Sequence, residues 1–152
     1  MSVEKKQLIL LVEDNTDDVD LTVYALKKNK ITHKLVVMRD GVEALDYLFG
    51  EGKNGKNDLP GLILLDLKLP RINGLQVLER LRKSERTRLV PVVVMTSSKE
   101  ERDVNETYRL GANSYIRKPV DFNEFIESIK NVLHYWLALN VLPEPGKDDS
   151  HE

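Results

Sequence analysis

The chain has no cysteine among its 152 residues. That excludes disulfides, thiol nucleophiles and thiolate metal sites, and it suits a reducing cytoplasm, the expected location. No apolar run approaches the ~20 residues that a membrane span needs. The opening MSVEKKQ leads into a short apolar run with no small-residue cleavage site, so no signal peptide is expected. A large charge of one sign is missing too. The net charge is −2 and the charges are mixed throughout, which suggests neither a nucleic-acid surface nor a membrane one. Histidine is scarce, and His33, His134 and His151 have no metal-binding spacing.

What the chain does have is alternation. Five short apolar runs stand out: LILLV (8–12), KLVVM (34–38), LILLD (62–66), VPVVVMT (90–96) and NSYIRK (113–118). Near-continuous apolarity predicts strands buried on both faces, as in a parallel sheet. Helical spacing lies between them: Val42, Leu45, Leu48 and Phe49 share one face, as do Leu75, Leu78 and Leu81. After the fifth run, Phe122, Phe125, Ile126, Ile129, Val132, Leu133, Trp136 and Leu137 follow i, i+3, i+4, i+7 spacing over about four turns. Ser98 to Glu101 and Asp121 to Glu124 read as capping arrangements, and Gly111 falls where the fourth helix should end.

The expected fold is therefore α/β, a single (βα)5 domain with a parallel sheet covered on both faces. Residues 1–142 should form it, with an extended C-terminal helix and no second domain, and 143–152 should be a disordered tail. In such sheets ligands bind beyond the carboxyl ends of the strands. The runs end at Glu13-Asp14, Asp66, Thr96 and Lys118. A flavodoxin-like strand order, 2-1-3-4-5, brings all of these to one crevice. Two carboxylates at ~4 Å repel by about 4 kcal/mol at an effective dielectric near 20, so the cluster asks for cations. Lys118 supplies one, and a hard divalent ion, Mg²⁺, supplies the rest through oxygen ligands. Asp66 is central enough to act as a nucleophile.

With four motifs in order, LVEDN (11–15), LLDLKLPRING (64–74), VVMTSS (93–98) and YIRKP (115–119), the chain resembles two-component response regulator receiver domains over about residues 7–140. More narrowly it is similar to the stand-alone regulators paired with phytochrome-type histidine kinases. The resemblance implies that Asp66 accepts a phosphoryl group from a sensor histidine kinase. Mg²⁺ would be held by Asp14 and Asp66, by Glu13 through water, and by the Lys68 backbone carbonyl. Thr96 and Lys118 would bind the phosphoryl group, and Tyr115 would turn inward as Thr96 moves. It further implies a cis Lys118–Pro119 bond and a switching surface on the fourth helix, fifth strand and fifth helix. Apart from self-phosphorylation and slow autodephosphorylation, no enzyme activity is expected. The output passes through a partner, a homodimer on the switching surface, or onward transfer in a phosphorelay. Trp136 with Leu137, Leu139, Val141 and Leu142 is an alternative dimer face.

Taken singly, these residues have ordinary explanations. Asp66 could be a turn acid, Glu13-Asp14-Asn15 a helix cap, Tyr115 plain core. Their joint placement favours the functional reading. Lys68 and Ser98, two residues after Asp66 and Thr96, should border the site and control access of hydrolytic water. A haloacid-dehalogenase-type phosphatase would want a second Asp where Lys68 stands. A flavin binder would want a Ser/Thr-rich phosphate loop in place of the anionic EDNTDD. GEGKNGKN (50–57) nearly matches a P-loop but has Asn57 in place of Ser/Thr and the wrong flanking elements. The basic run Arg80, Arg82, Lys83, Arg86, Arg88 reads as a solvated helix end.

Overall fold

A computed structural model describes residues 8–50 and 58–143. The P-loop-like stretch and the tail expected from 143 onward fall almost wholly outside those residues. Five parallel strands, β1 (Ile9–Val12), β2 (Leu35–Met38), β3 (Leu62–Leu65), β4 (Val92–Thr96) and β5 (Ser114–Arg117), form one sheet in the order β2-β1-β3-β4-β5. Helices α1 (Thr16–Lys28), α2 (Gly41–Phe49), α3 (Gly74–Lys83), α4 (Glu101–Arg109) and α5 (Phe122–Leu133) alternate with them. This is the flavodoxin-like arrangement.

Side chains alternate across each strand, so the sheet divides the core in two. Leu10, Val12, Ile63, Leu65, Val92 and Val94 pack against α2 and α3. Ile9, Leu11, Leu62, Leu64, Val93 and Met95 pack against α1 and α5. The central strands β1, β3 and β4 are buried throughout, whereas the edge strands β2 and β5 are half-buried. α4 is the least embedded of the helices. Its single buried residue is Thr107.

Four helices start on a side-chain cap. Asn15, Asp40, Asn73 and Asp121 each accept a hydrogen bond from the backbone three residues on, and Asn73 forms a full capping box with Gln76. α4 differs from expectation. Its N-cap is Glu100 and carries no side-chain cap; the Ser98 hydroxyl accepts the Glu100 amide at 3.3 Å and donates to Asp103. Gly111, at φ +101°, follows α4 as expected, in a backbone region that disfavours other residues.

Three further expectations change. Phe122 lies outside the core, 55% exposed beside Tyr24. The last helix leaves α geometry after Leu133 for a π-helical turn, His134–Leu139; its wider winding leaves Trp136 and Leu137 half-buried and Leu139 exposed. The Lys118–Pro119 bond is trans.

Candidate functional site

β1 and β3 run in register, with Val12 beside Leu65, and the pairing continues one residue further as the Asp66 amide donates to the Val12 carbonyl at 3.1 Å. The two central strands therefore deliver Glu13 and Asp66 side by side at the carboxyl end of the sheet. Asp14 follows at the entrance to α1. Oxygens of Glu13, Asp14 and Asp66 lie within 4.8 Å of one another; the first and last are buried and Asp14 is exposed. On the other side, the Lys118 amide donates to the Thr96 carbonyl at 2.8 Å, extending the β4–β5 pairing. From there the Lys118 ammonium reaches across the end of the sheet. It contacts Glu13 at 2.6 Å, Asp18 at 2.7 Å and Asp66 at 3.0 Å.

Asp18 belongs to this cluster, and sequence reasoning missed it. The available signal was its position as an acid in the first turn of α1, directly after the Glu13-Asp14 strand end. Its carboxylate answers Lys118 while its amide is capped by Asn15 at 3.0 Å.

Three carboxylates thus contact one ammonium, and Asp14 adds a fourth beside Glu13 and Asp66. Burial pushes the Glu13 carboxyl up to about 7, with the Asp66 charge adding to the rise and the bonds from Lys118 and the Asn15 amide opposing it. Burial works against the charge on Lys118, yet its hydrogen bonds to Asp18 and Glu13 and the nearby Asp66 charge more than offset that. The ammonium is held above its ordinary range. The remaining excess of anionic oxygens around Glu13, Asp14 and Asp66 fits a hard divalent cation.

Asp66 is held by both oxygens. One accepts the Lys68 amide at 3.2 Å and the other the Lys118 ammonium at 3.0 Å. The loop that follows is drawn tight beneath it. The Gly74 amide donates to the Leu67 carbonyl at 2.9 Å, and a Cβ on Gly74 would fall 2.3 Å from the Asp66 carbonyl oxygen. Only glycine allows so close an approach. Lys68 itself is exposed. Thr96 is fully buried at the end of β4, and its hydroxyl accepts the Ser98 amide at 3.4 Å. Tyr115 is half-buried against the α2–α3 side of the core, and its hydroxyl donates to the Ser98 carbonyl at 3.3 Å. The structure thus brings Glu13, Asp14, Asp66 and Lys118 together at one sheet end, and it links Thr96 to Tyr115 through Ser98.

The basic run at the end of α3 is not simply solvated. Arg82 donates to the carbonyls of Gly111 (2.9 Å), Arg88 (3.1 Å) and Val90 (2.8 Å) and to the Asn113 side chain (3.0 Å). It fastens α3 to the loops before β4 and β5. Arg80 lies over the Phe49 ring at 4.9 Å. Three carbonyls aimed at one point suit a planar fork of donors better than water does.

Residues 9–130 match the family model of the response regulator receiver domain. The probable methanogenesis regulatory protein FilR2 of Methanothrix harundinacea is 39% identical over 147 residues, covering 96% of this chain and 94% of that protein. The phosphorylated cyanobacterial phytochrome response regulator RcpA superposes with a TM-score of 0.88 at 37% identity, over 91% of this chain and 99% of that one. The Mn²⁺-bound form of response regulator Rcp1, a Synechocystis protein, superposes at 0.84 and 36% identity, over 90% and 99%.

Proposed function

Because this chain belongs to the response regulator receiver family, we propose that its phosphorylation switch runs through Asp66 as acceptor, with Mg²⁺ as cofactor and a phytochrome-type sensor histidine kinase as donor. The observation that carries the reading is the Asp66 carboxylate itself. It directly follows the central strand β3, touches Lys118, and lies close enough to Glu13 and Asp14 for the three to share a cation.

An Asp66 oxygen attacks the phosphorus of a phosphohistidine. The P–O bond forms as the P–N bond breaks, and the imidazole leaves with the electron pair and takes up a proton. Lys118 stays paired with the charge that accumulates on the transferred group. Glu13, Asp14 and Asp66, with the Lys68 carbonyl, would hold Mg²⁺, which neutralises phosphoryl charge when bound; the Mn²⁺ form of Rcp1 supports a divalent ion in this family. The Thr96 hydroxyl then turns to the new phosphoryl oxygens and Tyr115 follows inward, which alters the surface of α4, β5 and α5. Lys68, where a phosphatase of the aspartate-nucleophile type needs an acid, disfavours turnover. Cytoplasmic placement and the rest of the relay follow from the same reading.

Incubation with radiolabelled phosphoramidate and Mg²⁺ should label the wild type and leave Asp66→Asn unlabelled. Equal labelling of the two, or an unlabelled wild type, would remove the proposal.

A further inference from the structure

We propose that Asp18 is a positioning residue for Lys118. It fixes the ammonium beside Asp66 from the α1 side, so that the positive charge already stands where a phosphoryl group arrives. The second half rests on Asp66 being the acceptor.

A lysine ammonium has three N–H donors, and those of Lys118 meet three carboxylates: Glu13 at 2.6 Å, Asp18 at 2.7 Å and Asp66 at 3.0 Å. Glu13 and Asp66 belong, with Asp14, to the set of oxygens close enough to share a cation; Asp18 is not one of them. A divalent ion therefore draws on Glu13 and Asp66, and a phosphoryl group occupies an oxygen of Asp66. Asp18 is the partner of Lys118 that neither event claims.

Asp18 is itself firmly held. In the first turn of α1 its amide donates to Asn15 at 3.0 Å, and its carbonyl accepts the hydroxyl of buried Thr22 at 2.8 Å. The body of α1 packs with α5 through Val19, Ala25 and Leu26. Lys118 is the opposite case. Its long flexible stem starts just after β5 and must pass β4 to reach the carboxylates beyond β3 and β1. Rotamer freedom spreads such a stem over many positions, and a short acceptor anchored on a helix selects one of them. The contact is largely shielded from water, with the Lys118 side chain 10% exposed and that of Asp18 21%. Ordering the ammonium before transfer removes that ordering from the barrier. The charge of Asp18 acts the other way, because it repels an incoming phosphoryl group. An amide at this position keeps an oxygen for Lys118 but lacks the charge, so it separates the two effects.

The test compares Asp18→Ala, Asp18→Ser and Asp18→Asn with wild type in two measurements. The first is hydrogen exchange of the Lys118 ammonium by NMR in metal-free, unphosphorylated protein, the signal being assigned by its absence from Lys118→Met. The second is the initial rate of labelling by phosphoramidate with Mg²⁺. Serine is too short to bridge to the ammonium, so it stands in should the alanine variant not fold. Asp18→Ala and Asp18→Ser should speed exchange about tenfold, the effect of losing one hydrogen bond to a charged group, and should slow labelling by about as much. Asp18→Asn should exchange within about threefold of wild type and label at least as fast.

Unchanged exchange in the folded alanine or serine variant, or a wild type with no protected Lys118 signal, would overturn the anchor. An Asp18→Asn protein that labels as slowly as Asp18→Ala would overturn positioning in favour of charge alone. Faster exchange with undiminished labelling in the alanine or serine variant, against a wild type that labels, would overturn the role in transfer. An unlabelled wild type would instead indict the acceptor reading, with exchange still judging the anchor.

Discussion

Asp14 is the exposed member of the three-carboxylate cluster, and Lys118 pairs with Glu13, Asp18 and Asp66 rather than with it. Replacing it with Asn removes a repelling charge while leaving the Lys118 contacts in place. In metal-free buffer Asp14→Asn should be more stable than wild type by about 1 kcal/mol, a rise of about 2–4 °C in thermal midpoint for a domain of this size. Wild type should gain further stability on adding Mg²⁺, and the variant should gain much less because a ligand is gone. Thermal melts with EDTA and with Mg²⁺ measure both effects; an equal gain in the two proteins would remove Asp14 from the metal site. At this scale the sequence made Asp14, Asp66, Thr96 and Lys118 visible because each ends an apolar run. It hid Asp18, whose place beside Lys118 depends on where α1 begins and on how far a lysine from β5 reaches over the sheet.

Element junctions show the same division. Caps at Asp121 and the stop at Gly111 were legible from local chemistry, since an N-cap acid and a left-handed glycine act within a few residues. Arg82 was not, because its partners lie up to 31 residues away and include three backbone carbonyls that no side-chain pattern reveals. A basic run at the end of α3 looks the same in sequence whether it meets water or a set of carbonyls. Arg82→Ala strips these acceptors of their partner and should cost about 2–3 kcal/mol. Arg82→Lys should recover little of it, because one ammonium cannot reproduce the planar fork. Urea denaturation of the three proteins measures this; a lysine variant as stable as wild type would show that charge alone suffices. The π-helical turn after Leu133 was equally hidden, as its residues keep an apolar pattern that also fits an α-helix.

For the whole molecule, the parallel (βα)5 architecture followed from periodicity and chain topology, because buried parallel strands with short helical crossovers leave few arrangements, whereas the order 2-1-3-4-5 came from likeness to flavodoxin-like sheets and is the order observed. Association does not follow in that way. We propose a homodimer on the α4, β5 and α5 face, and the surface gives two candidate patches to weigh. The outer side of α4 is strongly charged, with Arg102 paired to Glu100 and Arg109 to Glu106 within the chain. Beyond α5, Tyr135, Leu139 and Val141 are exposed, at 49%, 65% and 91%. Apolar side chains so placed favour contact with another surface, whereas intrachain ion pairs at exposed sites contribute little. If the switching face alone drives association, Leu139→Glu should leave it unchanged, and a phosphoryl mimic should strengthen it in both proteins. If the C-terminal patch contributes, Leu139→Glu should weaken association about tenfold or more, since a charge in an apolar contact must be desolvated. Sedimentation equilibrium of wild type and variant, with and without beryllofluoride and Mg²⁺, separates the two. A wild type that stays monomeric in both states would eliminate the homodimer and leave a heterologous partner, or onward phosphoryl transfer, to carry the signal from the altered face.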